Sequence, residues 1–179
     1  MGHEAADELV DVLDDAGRVI ATTTRAEMRA QRLRHRAVFV LVVSSDGRLL
    51  VHRRSEDKDV WPGWWDLAAG GVLRAGEDDE AGARREIAEE LGVELGELEL
   101  VTEGAYRDER VDEVARVFRA RHDGPFHFAD GEIVEAHFLD RPALDALIAT
   151  GAVVPDSLDL VPLDAILPRA PPRPRPVQP

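Results

Sequence analysis

The chain has 179 residues, 44% of them hydrophobic and 32% charged, which fits one globular domain with a full core and short appendages and excludes a fibre, a collagen or a wholly disordered acidic protein. Its formal net charge of −14, from 36 Asp and Glu against 22 Lys and Arg, disfavours nonspecific binding to a nucleic acid polymer or an acidic membrane face, so a phosphate-bearing ligand needs a local basic pocket or bound cations. With no cysteine, disulfides, thiolate metal sites and a Cys nucleophile are excluded.

The start, Met1-Gly2-His3-Glu4, lacks the basic and apolar segments of a signal peptide. The next residues read as two short strands, Leu9 to Asp14 and Arg18 to Ala21, joined by a turn at Gly17, and Arg25 to Leu33 has helical spacing. Arg36 to Ser44 and the alternating Arg48 to Arg54 flank the turn Ser45-Asp46-Gly47 and predict a hairpin. The longest apolar run, Ala37 to Val43, falls far short of the roughly 18–20 residues that span a bilayer, so a cytoplasmic protein without a membrane partner is expected. Leu67 to Leu73 is a short apolar segment interrupted by glycine. Asp78 to Leu91 has helical spacing, with Asp78 as N-cap and Asp79 and Glu80 placed against the positive helix end. Strands are predicted at about Leu98 to Tyr106, Val111 to Arg121 and Ile133 to Leu139, then helices over Pro142 to Ala149 and Ser157 to Leu167, the second interrupted by Pro162. This order predicts an α/β fold with a mixed sheet and helices on both faces. Pro168 to Pro179, PRAPPRPRPVQP, is too proline-dense for a helix or an interior strand and reads as a disordered or polyproline-like tail.

The segment Gly71 to Val93, GVLRAGEDDEAGARREIAEELGV, carries the chemistry. Glu86, Glu89 and Glu90, at i, i+3 and i+4, share one helix face, and Glu77 stands on the loop before it. Like charges so packed repel. A helix bears that cost readily when a hard divalent cation, Mg²⁺ or Mn²⁺, binds the oxygens; the alternative is a solvated acidic face offset by Arg84 and Arg85. Gly70 and Gly71 let the backbone approach closely, so Gly70 is a candidate carbonyl ligand, and Arg85 is placed to hold one carboxylate in a fixed rotamer.

Gly71, Glu77 and Arg85-Glu86-Ile87-x-Glu89-Glu90-x-Gly92-Val93 stand at the spacing of the Nudix box, and the chain resembles Nudix hydrolases. The resemblance implies an α/β/α sandwich with a mixed sheet, divalent metal and attack of water on a diphosphate linkage. It gives Glu86, Glu89 and Glu90 as metal ligands, Glu77 as a supporting carboxylate and Arg85 as an orienting residue. The base is either Glu86 or a later glutamate, for which Glu132 and Glu135 are the candidates. Gly82 departs from the alanine that many members carry. On this basis residues 1–33 form an N-terminal hairpin and helix, 34–167 the Nudix hydrolase domain and 168–179 the tail. The substrate is expected to be a small organic diphosphate, a nucleoside diphosphate derivative or a relative of one, and a homodimer is compatible with the family.

Upstream, Arg53, Arg54 and Lys58, the sole lysine, are candidate phosphate clamps, with charge balance at a strand edge as the alternative. Trp61 and Trp65 are candidate pocket walls, with core packing as the alternative. The run RRS-x-x-K-x-x-WPG-x-W before the box is similar to isopentenyl-diphosphate isomerases, which makes isomerisation a rival activity. Those enzymes use a cysteine for proton traffic at about the position of Ala69, so hydrolysis is the expectation. A non-catalytic nucleotide-binding domain is the remaining alternative; such domains commonly lose box glutamates, and none is lost here.

Overall fold

The computed structural model describes residues 6–129 and 131–169. The predicted tail from 170 to 179 therefore lies outside the described residues. Strand β1, Leu9–Leu13, pairs antiparallel with β2, Val19–Thr24, as a separate two-stranded sheet. Helix α1, Arg25–Gln31, follows at once, because the Thr24 side chain accepts a hydrogen bond from the Glu27 N–H and caps its first turn.

The second sheet has seven strands: β3, His35–Val43; β4, Leu49–Arg54; β5, Trp65–Asp66; β6, Ala69–Val72; β7, Glu99–Arg107; β8, Asp112–Arg121; and β9, Ile133–Leu139. Its main order is β5-β4-β3-β8-β7, with β6 on β3 and β9 on β4. β3 lies parallel to β8 along its whole length, and both its faces are covered, which explains its near-continuous apolar sequence. The expected hairpin of β3 and β4 is paired only at its base, Val43 to Leu49. Beyond that point β6 takes the edge of β3 at Ala37 to Val40, and β4 turns to β5 and β9. The turn closes locally, and the strands part because other segments compete for their edges.

Helix α2, Asp79–Leu91, begins at Asp78, whose side chain accepts from the N–H groups of Glu80 and Ala81, and ends at Gly92 with φ 64°. Its Ala83, Ile87 and Leu91 pack with Val38, Val40 and Val42 on one sheet face. Burying a side chain such as Ile87 stabilises the fold by about 1.5–3 kcal/mol, which offsets part of the cost of the acids on the same helix. Gly82 serves close packing: a Cβ there would stand 2.1 Å from Leu73 Cδ2.

The opposite face is covered by α3, Arg141–Ile148, α4, Pro155–Leu160, and α5, Leu163–Ile166. Leu144, Leu160 and Ile166 pack there on Ala37, Leu41 and Val43. The single interrupted helix expected over Ser157 to Leu167 is two short ones. Pro155 opens the first, and Pro162, which cannot continue a helix, caps the second. The result is a three-layer α/β/α arrangement. Among the described residues no helix is long and apolar enough to cross a membrane.

The N-terminal hairpin is stitched to the box loop. The Gly76 N–H donates to Asp11 Oδ2 at 2.8 Å, the Ala75 N–H donates to the Leu9 carbonyl at 2.8 Å, and Val10 and Met28 pack on Val72.

Gly70 is the tightest point of the sheet. It has φ 153°, and a Cβ there would lie 2.0 Å from the Val38 carbonyl oxygen. Gly70→Ala is therefore expected to cost roughly 2–4 kcal/mol, read as a lowered urea midpoint. An unchanged midpoint would mean that β6 shifts without strain.

Candidate active site

The acidic face of α2 is held together by cations. Arg85 donates to both oxygens of Glu77, each at 2.8 Å, to Glu86 Oε1 at 2.7 Å and to Glu89 Oε2 at 3.1 Å. Glu77, whose Oε2 also accepts from the Arg74 N–H at 2.9 Å, thus anchors Arg85, and the Arg85 hydrogen bonds hold its carboxyl below the usual carboxylate range. Burial works against the charge of Arg85, but the Glu77 and Glu86 carboxylates outweigh it and raise its pKa. Glu89, half exposed, also faces Arg74 at 3.6 Å.

Glu90 is only 3% exposed. Its Oε2 accepts from the Gly70 N–H at 3.1 Å and its Oε1 from Lys58 Nζ at 3.1 Å. Burial pushes its carboxyl up to about 7, against the pull of Lys58. Burial likewise raises Glu86, against Arg85. Lys58 bonds Glu132 as well, so that residue, from the loop before β9, is drawn to the box helix. Burial opposes the charge on Glu132, and Lys58 more than restores it, leaving its pKa lowered.

The structure thus gathers Glu77, Glu86 and Glu89 on Arg85 and, on the same helix, joins Glu90 to Gly70, Lys58 and Glu132, a network of two adjacent groups. Five other sequence candidates lie outside these contacts. Arg53 and Glu135 are cross-strand partners 3.9 Å apart, both nearly half exposed, and Glu135 also pairs with His137 at 2.8 Å. Trp65 lies against His137, with ring centroids 5.9 Å apart. Trp61 is 3% exposed, meets Tyr106 edge-on at 6.4 Å and packs with Val111 and Val154. Arg54 is bound to Asp66 at 3.1 Å and to the Val60 carbonyl at 3.1 Å.

Among the described residues no three Asp, Glu or His side chains converge into a metal cage, because Arg85 and Lys58 hold the carboxylates. The donor set nevertheless suits a hard divalent ion: carboxylate oxygens that burial leaves short of water, beside a glycine strand. Space is kept for them, since a Cβ on Gly71 would stand 2.9 Å from the Glu86 carboxyl.

Two linked cavities adjoin this network. An outer one of about 300 Å³ is lined by Arg25, Arg29, Asp57, Lys58, Asp59 and Glu132. An inner slot of about 50 Å³ runs from Gly70 and Gly71 to Arg54, Trp61, Glu113 and Asp156 and shares Arg25, Arg29, Lys58 and Asp59 with the outer one. Sequence reasoning missed Arg25, Arg29, Glu113 and Asp156. The i, i+4 spacing of the two arginines was an available signal. The two acids stand 43 positions apart, and no local pattern joins them.

Glu113 and Asp156 are 4% and 6% exposed; burial raises both, and the Glu113 and Asp66 carboxylates add to the rise at Asp156, so the pair favours keeping a proton. Burial lowers His35 and His52 to about 4, so both are uncharged near neutral pH; His35 accordingly serves packing, its Nδ1 2.9 Å from the Leu33 carbonyl.

Architecture and site define a mixed α/β domain built around an acidic helix. The family model of the NUDIX domain matches residues 33–162, and the chain belongs to that family. It is 37% identical over 156 residues to the uncharacterized Nudix hydrolase YfcD of Salmonella typhi, covering 86% of this chain and 83% of that one. A shorter match, 51% identical over 86 residues to an uncharacterized Nudix hydrolase of Yersinia pestis, spans 48% of this chain and 47% of that relative. The crystal structure of DR0079 from Deinococcus radiodurans superposes with a TM-score of 0.69 at 28% identity, over 81% of this chain and 91% of that one. The chain is accordingly a hydrolase of the NUDIX family.

Asp156 gives a stability test. Burial, then the neighbouring Glu113 and Asp66 carboxylates, raise its pKa above the ordinary 3.8, so its stabilising contribution is complete below the unfolded value and is lost as pH rises through the folded one. Asp156→Asn removes that loss. Its Tm should match the parent at pH 3.5 and exceed it by several degrees at pH 9, since 1 kcal/mol corresponds to about 2–4 °C in a chain of this size. Equal Tm at both pH values would show that Asp156 is ionised without cost.

Proposed function

We propose that the chain hydrolyses the diphosphate linkage of a nucleoside diphosphate derivative or a related small organic diphosphate, using Mg²⁺ or Mn²⁺ held by Glu86, Glu89, Glu90 and the Gly70 carbonyl. The observation that carries this reading is the pair of buried carboxyls, Glu86 and Glu90, set against Gly71 and Gly70, the two glycines that line the inner slot. Diphosphates resist hydrolysis because their anionic oxygens repel hydroxide. When bound, the divalent ion supplies charge neutralisation at those oxygens and a water of lowered pKa.

The chain's own residues do the rest. Arg85, anchored by Glu77, fixes the rotamers of Glu86 and Glu89. Lys58 sets Glu90 and Glu132 side by side. A carboxylate must accept the proton of the attacking water, and Glu86 and Glu132 are the two candidates inside the network. Glu135, engaged with Arg53 and His137, is the weaker one.

A screen of nucleoside diphosphate sugars, dinucleotides, nucleoside triphosphates and prenyl diphosphates with Mg²⁺, with both products identified by mass, tests the reading. Turnover should require added divalent ion. Glu89→Gln and Glu90→Gln should each lower kcat at least about a hundredfold while Tm shifts by only a few degrees. Full activity in both would remove the metal assignment, and affinity without turnover in the parent would favour a binding domain.

One observation favours isomerisation as a second reading. Moving a double bond needs an acid that protonates carbon, and the proton-holding Glu113–Asp156 pair lines the same slot as Gly70 and Gly71. Conversion of isopentenyl diphosphate to dimethylallyl diphosphate at catalytic rates would establish it. Release of phosphate from a diphosphate with no such conversion would leave hydrolysis alone.

A further inference from the structure

The N-terminal helix precedes the residues that match the family model, yet it forms one wall of the outer cavity. Arg25 and Arg29 stand one turn apart on α1, and the burial of Met28 between them fixes how the helix sits. Two guanidinium groups at this spacing repel each other, the mirror of the crowded acids on α2. Both have capacity to spare. Arg25 makes no side-chain hydrogen bond among the described residues, and its nearest acid, Glu8, is 3.9 Å away. Arg29 donates from Nε to Asp59 Oδ2 at 3.1 Å, while its Nη1 is buried without a partner. A buried guanidinium N–H left unpaired is costly, and in water-poor surroundings an anionic oxygen relieves it most effectively.

The acids on the same wall do not cancel this capacity. Asp59 is committed to Arg29, Glu132 to Lys58, and Asp57 is exposed. Arg53 and Arg54, the arginines nearest the upstream side of the box in sequence, do not line the outer cavity, and Arg54 is bound to Asp66 and to the Val60 carbonyl. The helix is positioned against the box by the contacts of Val10 and Met28 with Val72 and by the Asp11 bond to Gly76. Arg25 is close enough to act electrostatically on both Glu86 and Glu132.

We infer that Arg25 and Arg29 of α1 are an anion clamp that holds a phosphate group of the substrate in the outer cavity, opposite the carboxylates of α2. This rests on the diphosphate reading above and names the residues that hold the anion. The hairpin and helix of residues 9–31 then belong to the active site, and the phosphate lies beside Lys58 and Glu132, through which the cavity meets Glu90 of α2.

The test is isothermal titration of the full chain with methylenediphosphonate, a diphosphate analogue that cannot be hydrolysed, with and without Mg²⁺. Arg25→Ala and Arg29→Ala should each weaken binding about tenfold or more in both conditions, and Arg25→Lys should recover part of the loss. Arg119→Ala, which removes one positive charge from the pair with Glu99 on the outer strands, should bind like the parent. Because Arg29 is largely buried, Arg29→Lys serves as its second variant, with Tm measured for each protein. Affinities within twofold of the parent in Arg25→Ala and in a folded Arg29 variant would overturn the clamp, as would absence of binding by the parent or an equal loss in Arg119→Ala. The outcome is separate from that of the hydrolase reading. Weakened binding in a protein that hydrolyses nothing keeps the clamp and removes the hydrolase, whereas turnover with unweakened binding does the reverse.

Discussion

The guanidinium of Arg85 is the contact on which the acidic face depends. Four carboxylates within fourteen residues of chain would drive one another apart in a low-dielectric setting. Arg85 grips three of them, Glu77, Glu86 and Glu89, and Lys58 holds the fourth, Glu90, against the Gly70 N–H. A planar five-donor fork suits this task and a point charge does not, which accounts for the division of labour between the arginine and the lysine. The two side-chain cations define each carboxylate position.

That arrangement needs a sheet opened at one place. β3 and β4 leave their shared turn and separate, and the edge of β3 so freed accepts β6. Only a residue without Cβ fits beside the Val38 carbonyl at Gly70, and only one without Cβ leaves room for Glu86 beside Gly71. Packing of Ile87 and Leu91 under the sheet then sets the rotation of α2, so that Glu86 and Glu90 turn inward and Glu89 stays half exposed. Apolar burial on one stripe of the helix thus aims the charged residues on the adjacent stripe.

Across the outer cavity from Lys58 and Glu132, α1 places the guanidinium groups of Arg25 and Arg29. Behind both lies a pair of carboxyls, Glu113 from β8 and Asp156 from α4, whose ionisation burial suppresses. One site therefore contains carboxylates that a cation helps to ionise, Glu77 and Glu132, and carboxyls whose ionisation desolvation opposes. Local surroundings decide between the two, since the side chains are of the same kind.

Much of this was legible in the chain. The periodicity of β1 to β4 and of Asp78 to Leu91, the Asp78 cap, and the spacing of Gly71, Glu77, Arg85, Glu86, Glu89 and Glu90 are local patterns, and local patterns survive translation into helix faces and strand edges. The Gly70-Gly71 pair marked a close approach before the partner of that approach was known. Partners distant in sequence were not legible. The sequence leaves Lys58 open between phosphate clamp and charge balance, and only the fold shows its partners to be Glu90 and Glu132. It leaves Trp61 open between pocket wall and core packing, and in the fold Trp61 packs with Tyr106, Val111 and Val154 and also lines the inner slot. The parting of β3 from β4, the neutral pair Glu113 and Asp156, and the placing of Arg25 and Arg29 opposite the box arise from strand pairing and packing across separations of tens of residues. A sequence determines which side chains share a helix face, because 3.6 residues make a turn; which side chains meet across a cavity is decided only when the sheet edges have chosen their partners.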